Sequence, residues 1–102
     1  MAIQDKTLSS AEHDWYATRS GLDNTATLTA HKKAYYSSKG IAESKPLTQM
    51  EREWLQSVGS STSNNPFELW LNACQAQTVG VGRTIDECKF NFYTSVASGT
   101  NP

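Results

Sequence analysis

Leu47-Thr48-Gln49-Met50-Glu51-Arg52-Glu53-Trp54-Leu55-Gln56-Ser57-Val58-Gly59 is the clearest copy of a unit that recurs along the chain. An aliphatic residue is followed by a hydroxyl residue, a charged turn, a large aromatic, one more bulky residue and, four or five positions later, a glycine. Leu47, Met50, Trp54 and Val58 stand at spacings of 3, 4 and 4, which is one face of an α-helix. Thr48 with Glu51 reads as a capping box, in which hydroxyl and carboxylate each satisfy an amide of the first turn. Such a cap contributes about 1 kcal/mol to helix initiation. Gly59 suits the left-handed position just past a helix end. A helix of about three turns is marginal alone, so the unit implies neighbours.

The neighbours are found on both sides. Leu8-Ser9-Ser10-Ala11-Glu12-His13-Asp14-Trp15-Tyr16 ends at Gly21, and Leu28-Thr29-Ala30-His31-Lys32-Lys33-Ala34-Tyr35-Tyr36 ends at Gly40. Gly21, Gly40 and Gly59 recur at intervals of 19. Ser9 with Glu12 repeats the capping box. These signals predict a first helix from about Ser10 to Ser20, capped by Ser9, and a second from about Ala30 to Lys39, capped by Thr29. Pro46 keeps Lys45 out of the helical region, so the third helix follows it, with Thr48 as cap. Gly59 to Asn64 is linker-like. Asn65-Pro66-Phe67-Glu68 then reads as cap, first helical residue and acidic first turn. This fourth helix carries Phe67, Trp70, Leu71 and Cys74 on one face. The fifth begins near Asp86 and carries Ile85, Cys88, Phe92 and Val96, with Thr84 and Glu87 offering a competing start two residues earlier. Residues 1–7 form a polar lead-in and Ser98 to Pro102 a polar tail.

Aligned on the aromatic, the units present Trp15, Tyr35, Trp54, Trp70 and Phe92, followed by Tyr16, Tyr36, Leu55, Leu71 and Tyr93. Leu8, Leu28, Leu47 and Ile85 open them; the fourth unit has no opening aliphatic. The period leaves room for one helix and one loop per unit, below the length of helix-pair repeats. The expected fold is therefore all-α: a single domain, residues 1–102, of five short helices in a compact array built from a 19–20-residue one-helix repeat.

Composition narrows the function. The chain has 102 residues, enough for one domain. With 9 Lys+Arg against 10 Asp+Glu and a net charge of −1, a general affinity for nucleic acid or anionic membranes is not expected. Lys32, Lys33 and Arg52 are the cations a helix-turn-helix reading would aim at phosphates, but no helix is visibly basic. No apolar run reaches the 18 or so residues of a membrane span. Met1-Ala2-Ile3-Gln4-Asp5-Lys6 lacks the apolar core of a signal peptide, so synthesis in a cytoplasm is the expectation.

Chemistry-bearing residues are sparse. Cys74 and Cys88 are too few for a disulfide scaffold; they read as buried thiols on helix faces, with a bridge between helices four and five as the lesser alternative. His13 and His31 lack metal-ligand spacing. Gly80-Val81-Gly82-Arg83 lacks the third glycine and the preceding strand of a phosphate loop. Glu12, Asp14, Glu51, Glu53, Glu68, Asp86 and Glu87 read as caps, first-turn acids or solvated helix faces. No catalytic, metal or cofactor-binding residue is singled out, and no enzyme or small-molecule substrate is expected. The adjacent aromatics Trp15-Tyr16, Tyr35-Tyr36 and Phe92-Tyr93 carry more information. Neighbours on a helix point about 100° apart. Either both are buried because the helix is covered on two sides, or Tyr16, Tyr36 and Tyr93 reach the surface, where tyrosine favours protein interfaces. The second alternative makes these three the candidate partner-contact residues.

The repeat resembles units in small proteins and protein tails from the structural gene regions of bacteriophages of Actinobacteria. Those units combine a hydrophobic residue, Ser/Thr/Asp, a charged turn, an aromatic-aromatic or aromatic-aliphatic pair and a glycine. Here the matching stretches are Leu8–Gly21, Leu28–Gly40, Leu47–Gly59 and, more loosely, Ile85–Gly99. The resemblance implies an accessory virion protein with a capsid or tail location. Its partners would be other virion proteins, either major capsid or tail proteins. A capsid decoration protein is the expectation, with a minor tail protein or an intracellular protein-interaction or DNA-binding module as alternatives. The resemblance is architectural and assigns no functional residue.

Overall fold

The structure, a computed structural model, describes residues 7–95. Val96, the polar tail and most of the polar lead-in lie outside them. The described residues form five helices and no strand: α1 Leu8–Ser20, α2 Leu28–Ser38, α3 Leu47–Gly59, α4 Pro66–Ala76 and α5 Ile85–Ser95. All ten aromatic residues fall within them, as the repeat predicts.

The helices start earlier than the capping-box reading predicts. The Thr7 hydroxyl accepts from the Ser10 amide and the Thr27 hydroxyl from the Ala30 amide. The Thr84 hydroxyl accepts from the Glu87 amide at 3.2 Å, so the earlier of the two possible starts of α5 is the one adopted. Pro46 precedes α3 and provides no side-chain cap. Ser9, Thr29 and Thr48 therefore lie inside first turns. The opening aliphatic of each unit is the first helical residue. Leu8, Leu28, Leu47 and Ile85 pack against the core while the hydroxyl or proline before them sets the chain direction. The fourth start is as expected: Asn65 Oδ1 accepts from the Glu68 amide and Pro66 is the first helical residue.

The glycines divide into two roles. Gly21 and Gly40 adopt φ of 77° and 88°, the left-handed conformation expected after a helix. Gly59 does not. It is the last residue of α3, and Ser60 takes the left-handed position with φ 50°. A Cβ on Gly59 would stand 2.8 Å from Asn72 Cβ and 3.1 Å from the Ala73 amide nitrogen. Gly59 is there so that α3 can approach the backbone of α4.

Each helix has two neighbours. α1 packs on α2 and α5, α3 on α2 and α4, and α4 on α5, which closes the five into a ring. This explains the paired aromatics. A helix flanked on both sides buries an arc wide enough for two successive residues, so both members of each pair go inside. Trp15, Tyr16, Tyr35, Tyr36, Trp54, Trp70, Phe92 and Tyr93 meet in one core with Ala11, Met50, Leu55, Leu69, Ala73, Cys74 and Cys88. Their ring centroids lie between 4.9 and 6.2 Å apart, mostly edge to face, the geometry the aromatic quadrupole favours. On α4 the wide arc brings in Leu69 and Ala73 and leaves Phe67 and Leu71 only partly buried, a shift from the single predicted face.

Candidate functional site

The partner-contact expectation for Tyr16, Tyr36 and Tyr93 is overturned. Their relative exposures are 0%, 0% and 5%. The Tyr16 hydroxyl sits between the other two, 2.6 Å from that of Tyr36 and 2.9 Å from that of Tyr93. The physical reason is ring closure: α1, α2 and α5 bring the second aromatic of three units to one point, where each phenol finds a partner for its polar end. Burial holds all three hydroxyls well above their ordinary pKa. Neighbouring phenols and the Glu51 carboxylate push in the same direction by opposing a further negative charge.

One turn before the second bulky residue of each pair (Tyr16, Tyr36 and Leu55), four residues earlier, stand Glu12 on α1, Lys32 on α2 and Glu51 on α3. They occupy equivalent positions of three repeats, with alternating charge. Lys32 Nζ donates to Glu12 Oε2 at 3.0 Å and to Glu51 Oε1 at 3.4 Å. The Lys32 side chain is 10% exposed, against 13% for Glu12 and 21% for Glu51. Its ammonium also lies 5.5 Å from the Tyr16 ring centroid, within cation–π range. Glu12 and Glu51 are thus ion-pair partners of a buried lysine and not the reciprocal half of capping boxes. The shared register would have located them: the same face of three adjacent units carries minus, plus, minus. Lys32 is occupied in this way and cannot serve with Lys33 as a phosphate contact.

Four helices, α1, α2, α3 and α5, therefore converge on a buried polar centre of one ammonium, two carboxylates and three phenols. Glu51 Oε2 is buried without a hydrogen-bond partner among the described residues. The Tyr35 hydroxyl and Trp54 Nε1 are also buried without a hydrogen bond of normal geometry. Burial raises the Tyr35 pKa, and the nearby Trp54 indole opposes part of that rise. The arrangement specifies which helices meet and in what register.

Two further clusters lie beside it. His31, fully buried on α2, shares its Nδ1 with the Ser20 hydroxyl at 2.6 Å, and its ring meets that of His13 edge to face at 5.2 Å. His13 Nε2 lies 3.3 Å from the Ala26 carbonyl oxygen. The pair fastens the α1–α2 connection to both helices. Among the described residues no group of three or more His, Cys, Asp or Glu side chains is placed to hold a metal ion. Cys74 and Cys88 are both free and buried, as the thiol reading expects. The Cys74 thiol donates to the Cys88 carbonyl at 3.3 Å. Burial, reinforced by the Cys88 side chain, pushes the Cys74 thiol up to about 12.

The surface offers shallow concavities. A groove of about 260 Å³ between α3 and α4 is lined by the buried Leu55, Leu69 and Trp70, by Glu51, and at its rim by the exposed Thr48, Arg52, Asn64 and Pro66. Lys33 lines a separate, more polar hollow with Ser37, Ser38 and Glu43. The remaining carboxylates fit the surface reading: Glu68, Asp86 and Glu87 lie in first turns. Glu53 is held below its ordinary pKa by hydrogen bonds from Lys45 and Gln49, with Lys45 Nζ at 2.8 Å. No described helix is long and apolar enough to cross a membrane. Comparison with protein-family models, with curated proteins and with solved structures finds no match to this chain.

Proposed function

We propose that this chain is an accessory structural protein of a tailed bacteriophage particle, a capsid decoration protein that adds contacts on the particle surface and stabilises it. The observation that carries the proposal is the repeat. One short helix, with an aliphatic start, an aromatic pair and a glycine close, is used again and again to build a closed ring. Its resemblance to units of phage structural-region proteins supplies the virion context. The residue types that could do chemistry are engaged with one another inside the ring: the Lys32 ion triad, the phenol cluster and the His13–His31 pair. That supports a role exercised by binding, with other virion proteins as partners and no catalytic step. The same resemblance keeps the minor tail as the second location.

Loss of the tyrosines as a contact surface moves attention to the outer faces, with Arg52 and Asn64 at the rim of the α3–α4 groove as the first positions to substitute. The test is co-sedimentation of the purified protein with purified capsids and, separately, with tails. Saturable binding to capsids is the expected result. Binding to tails alone would relocate the protein, and binding to neither would refute the virion reading.

A further inference from the structure

We propose that Cys74 and Cys88 are a preset disulfide site that staples α4 to α5 when the protein meets an oxidising environment. The inference stands on the core geometry and does not depend on the virion reading. The two thiols come from adjacent helices of the ring, α4 and α5. Both side chains are fully buried in the same cluster. The Cys74 sulfur lies 3.3 Å from the backbone oxygen of Cys88, and the nearby Cys88 side chain helps raise the Cys74 thiol pKa. A disulfide needs its two β-carbons about 4 Å apart with the sulfurs facing. A Cys74 sulfur already in contact with the Cys88 backbone across one helix pair stands near that requirement, and rotation about the two Cα–Cβ bonds is the movement the bridge asks for.

The cover over the site is also visible. The Gly82 amide donates to Cys88 Sγ at 3.4 Å, and the Cys88 thiol faces the Gly82 carbonyl at 3.7 Å. Gly82 can lie so close only because it lacks a Cβ; one built there would meet the Cys88 amide nitrogen at 3.0 Å. The segment between α4 and α5 thus forms a lid on Cys88, with Val81 half exposed on its outer side. Lifting this one loop uncovers Cys88, while Cys74 stays behind it in the core, where its raised pKa disfavours direct attack on an oxidant.

That asymmetry orders the chemistry. With oxidised glutathione as oxidant, the Cys88 thiolate attacks one glutathione sulfur, a mixed disulfide forms and glutathione thiolate leaves. Cys74, deprotonated as it attacks, displaces the second glutathione from Cys88. Two protein thiols lose two electrons and two protons, and one glutathione disulfide becomes two glutathione thiols. The product closes a loop that includes the lid, so the segment most able to open becomes tethered at both ends.

The experiment is incubation of the folded full chain with oxidised glutathione, acid quench, unfolding, alkylation of free thiols and intact mass measurement. The expected product is a monomer lighter by two hydrogens with no alkylatable thiol, restored by dithiothreitol, and melting higher than the reduced form. Cys74→Ser should instead stop at one glutathione on Cys88. Retention of both thiols, a stable glutathione adduct on the unsubstituted protein, or intermolecular dimers would overturn the proposal. So would a bridged form that melts lower than the reduced one, because the site would then not be preset.

Discussion

Lys32→Met tests whether the Glu12–Lys32–Glu51 triad is what registers α1, α2 and α3. Methionine keeps most of the volume and the flexible stem but removes the charge. The two carboxylates, 13% and 21% exposed, then lose their shared cation and face each other across the ring. Removing one partner of a buried ion pair costs roughly 3–5 kcal/mol, chiefly because the charge left behind is uncompensated. Partial exposure of Glu51 favours the lower half of that range. Domains of this size have stabilities of about 5–15 kcal/mol, so the variant should lose roughly a fifth to four-fifths of its stability. Each kcal/mol moves the melting temperature by roughly 4–8 °C in a domain of this length, so thermal denaturation followed by circular dichroism at neutral pH should show a fall of about 12–32 °C. Replacing all three residues by apolar ones of similar volume should recover most of the loss, as removing a whole buried network is far less costly than breaking it. A shift under 3 °C or so for Lys32→Met, or a triple variant worse than the single one, would refute the reasoning; solvated surface pairs contribute only ~0–1 kcal/mol.

Four other outcomes follow from the same structure. Gly59→Ala should cost about 1–3 kcal/mol in chemical denaturation by forcing α3 from the α4 backbone, whereas Gly21→Ala, whose Cβ meets open space, should cost only the ~1–2 kcal/mol of a left-handed alanine. Tyr16→Phe should cost roughly 1–3 kcal/mol by stranding the Tyr36 and Tyr93 hydroxyls, more than Tyr36→Phe or Tyr93→Phe; equal losses in all three would disprove the central position of Tyr16. All four tyrosines have pKa values raised above 10.0, so their contribution is fully present below about pH 10 and is lost as pH rises past it; in an alkaline titration the phenolate absorbance should appear together with loss of helix, and phenolate signal in a still helical protein would contradict this. Thr84→Ala should cost about 1 kcal/mol as a lost cap, while Thr48→Ala should be nearly neutral despite the capping-box sequence around it.

The helix count, the class and the leading aromatic of each unit as a core residue were legible in the chain because they depend on local periodicity. Leu47, Met50, Trp54 and Val58 mark a helical face wherever that helix finally packs, and Asn65-Pro66 starts a helix from its own backbone constraints. Gly21 and Gly40 were legible for the same reason: a left-handed residue is a local event. Thr48 with Glu51 misled because a capping box and an i+3 pair inside a helix look identical in sequence, and only Lys32, brought over from α2, tells them apart. Gly59 misled because its role is a close approach to Asn72 on the neighbouring helix, which no local pattern of residues reports. The fate of Tyr16 and Tyr93 turned on one tertiary fact, the contact of α1 with α5, whereas Tyr36 on α2 has α1 and α3 on its two sides in either case. An open row of helices would have left end helices with a bare side and a tyrosine at the surface. Closing the row gives every helix two neighbours, and burial of the second aromatic follows from that closure, which no residue of the repeat encodes alone.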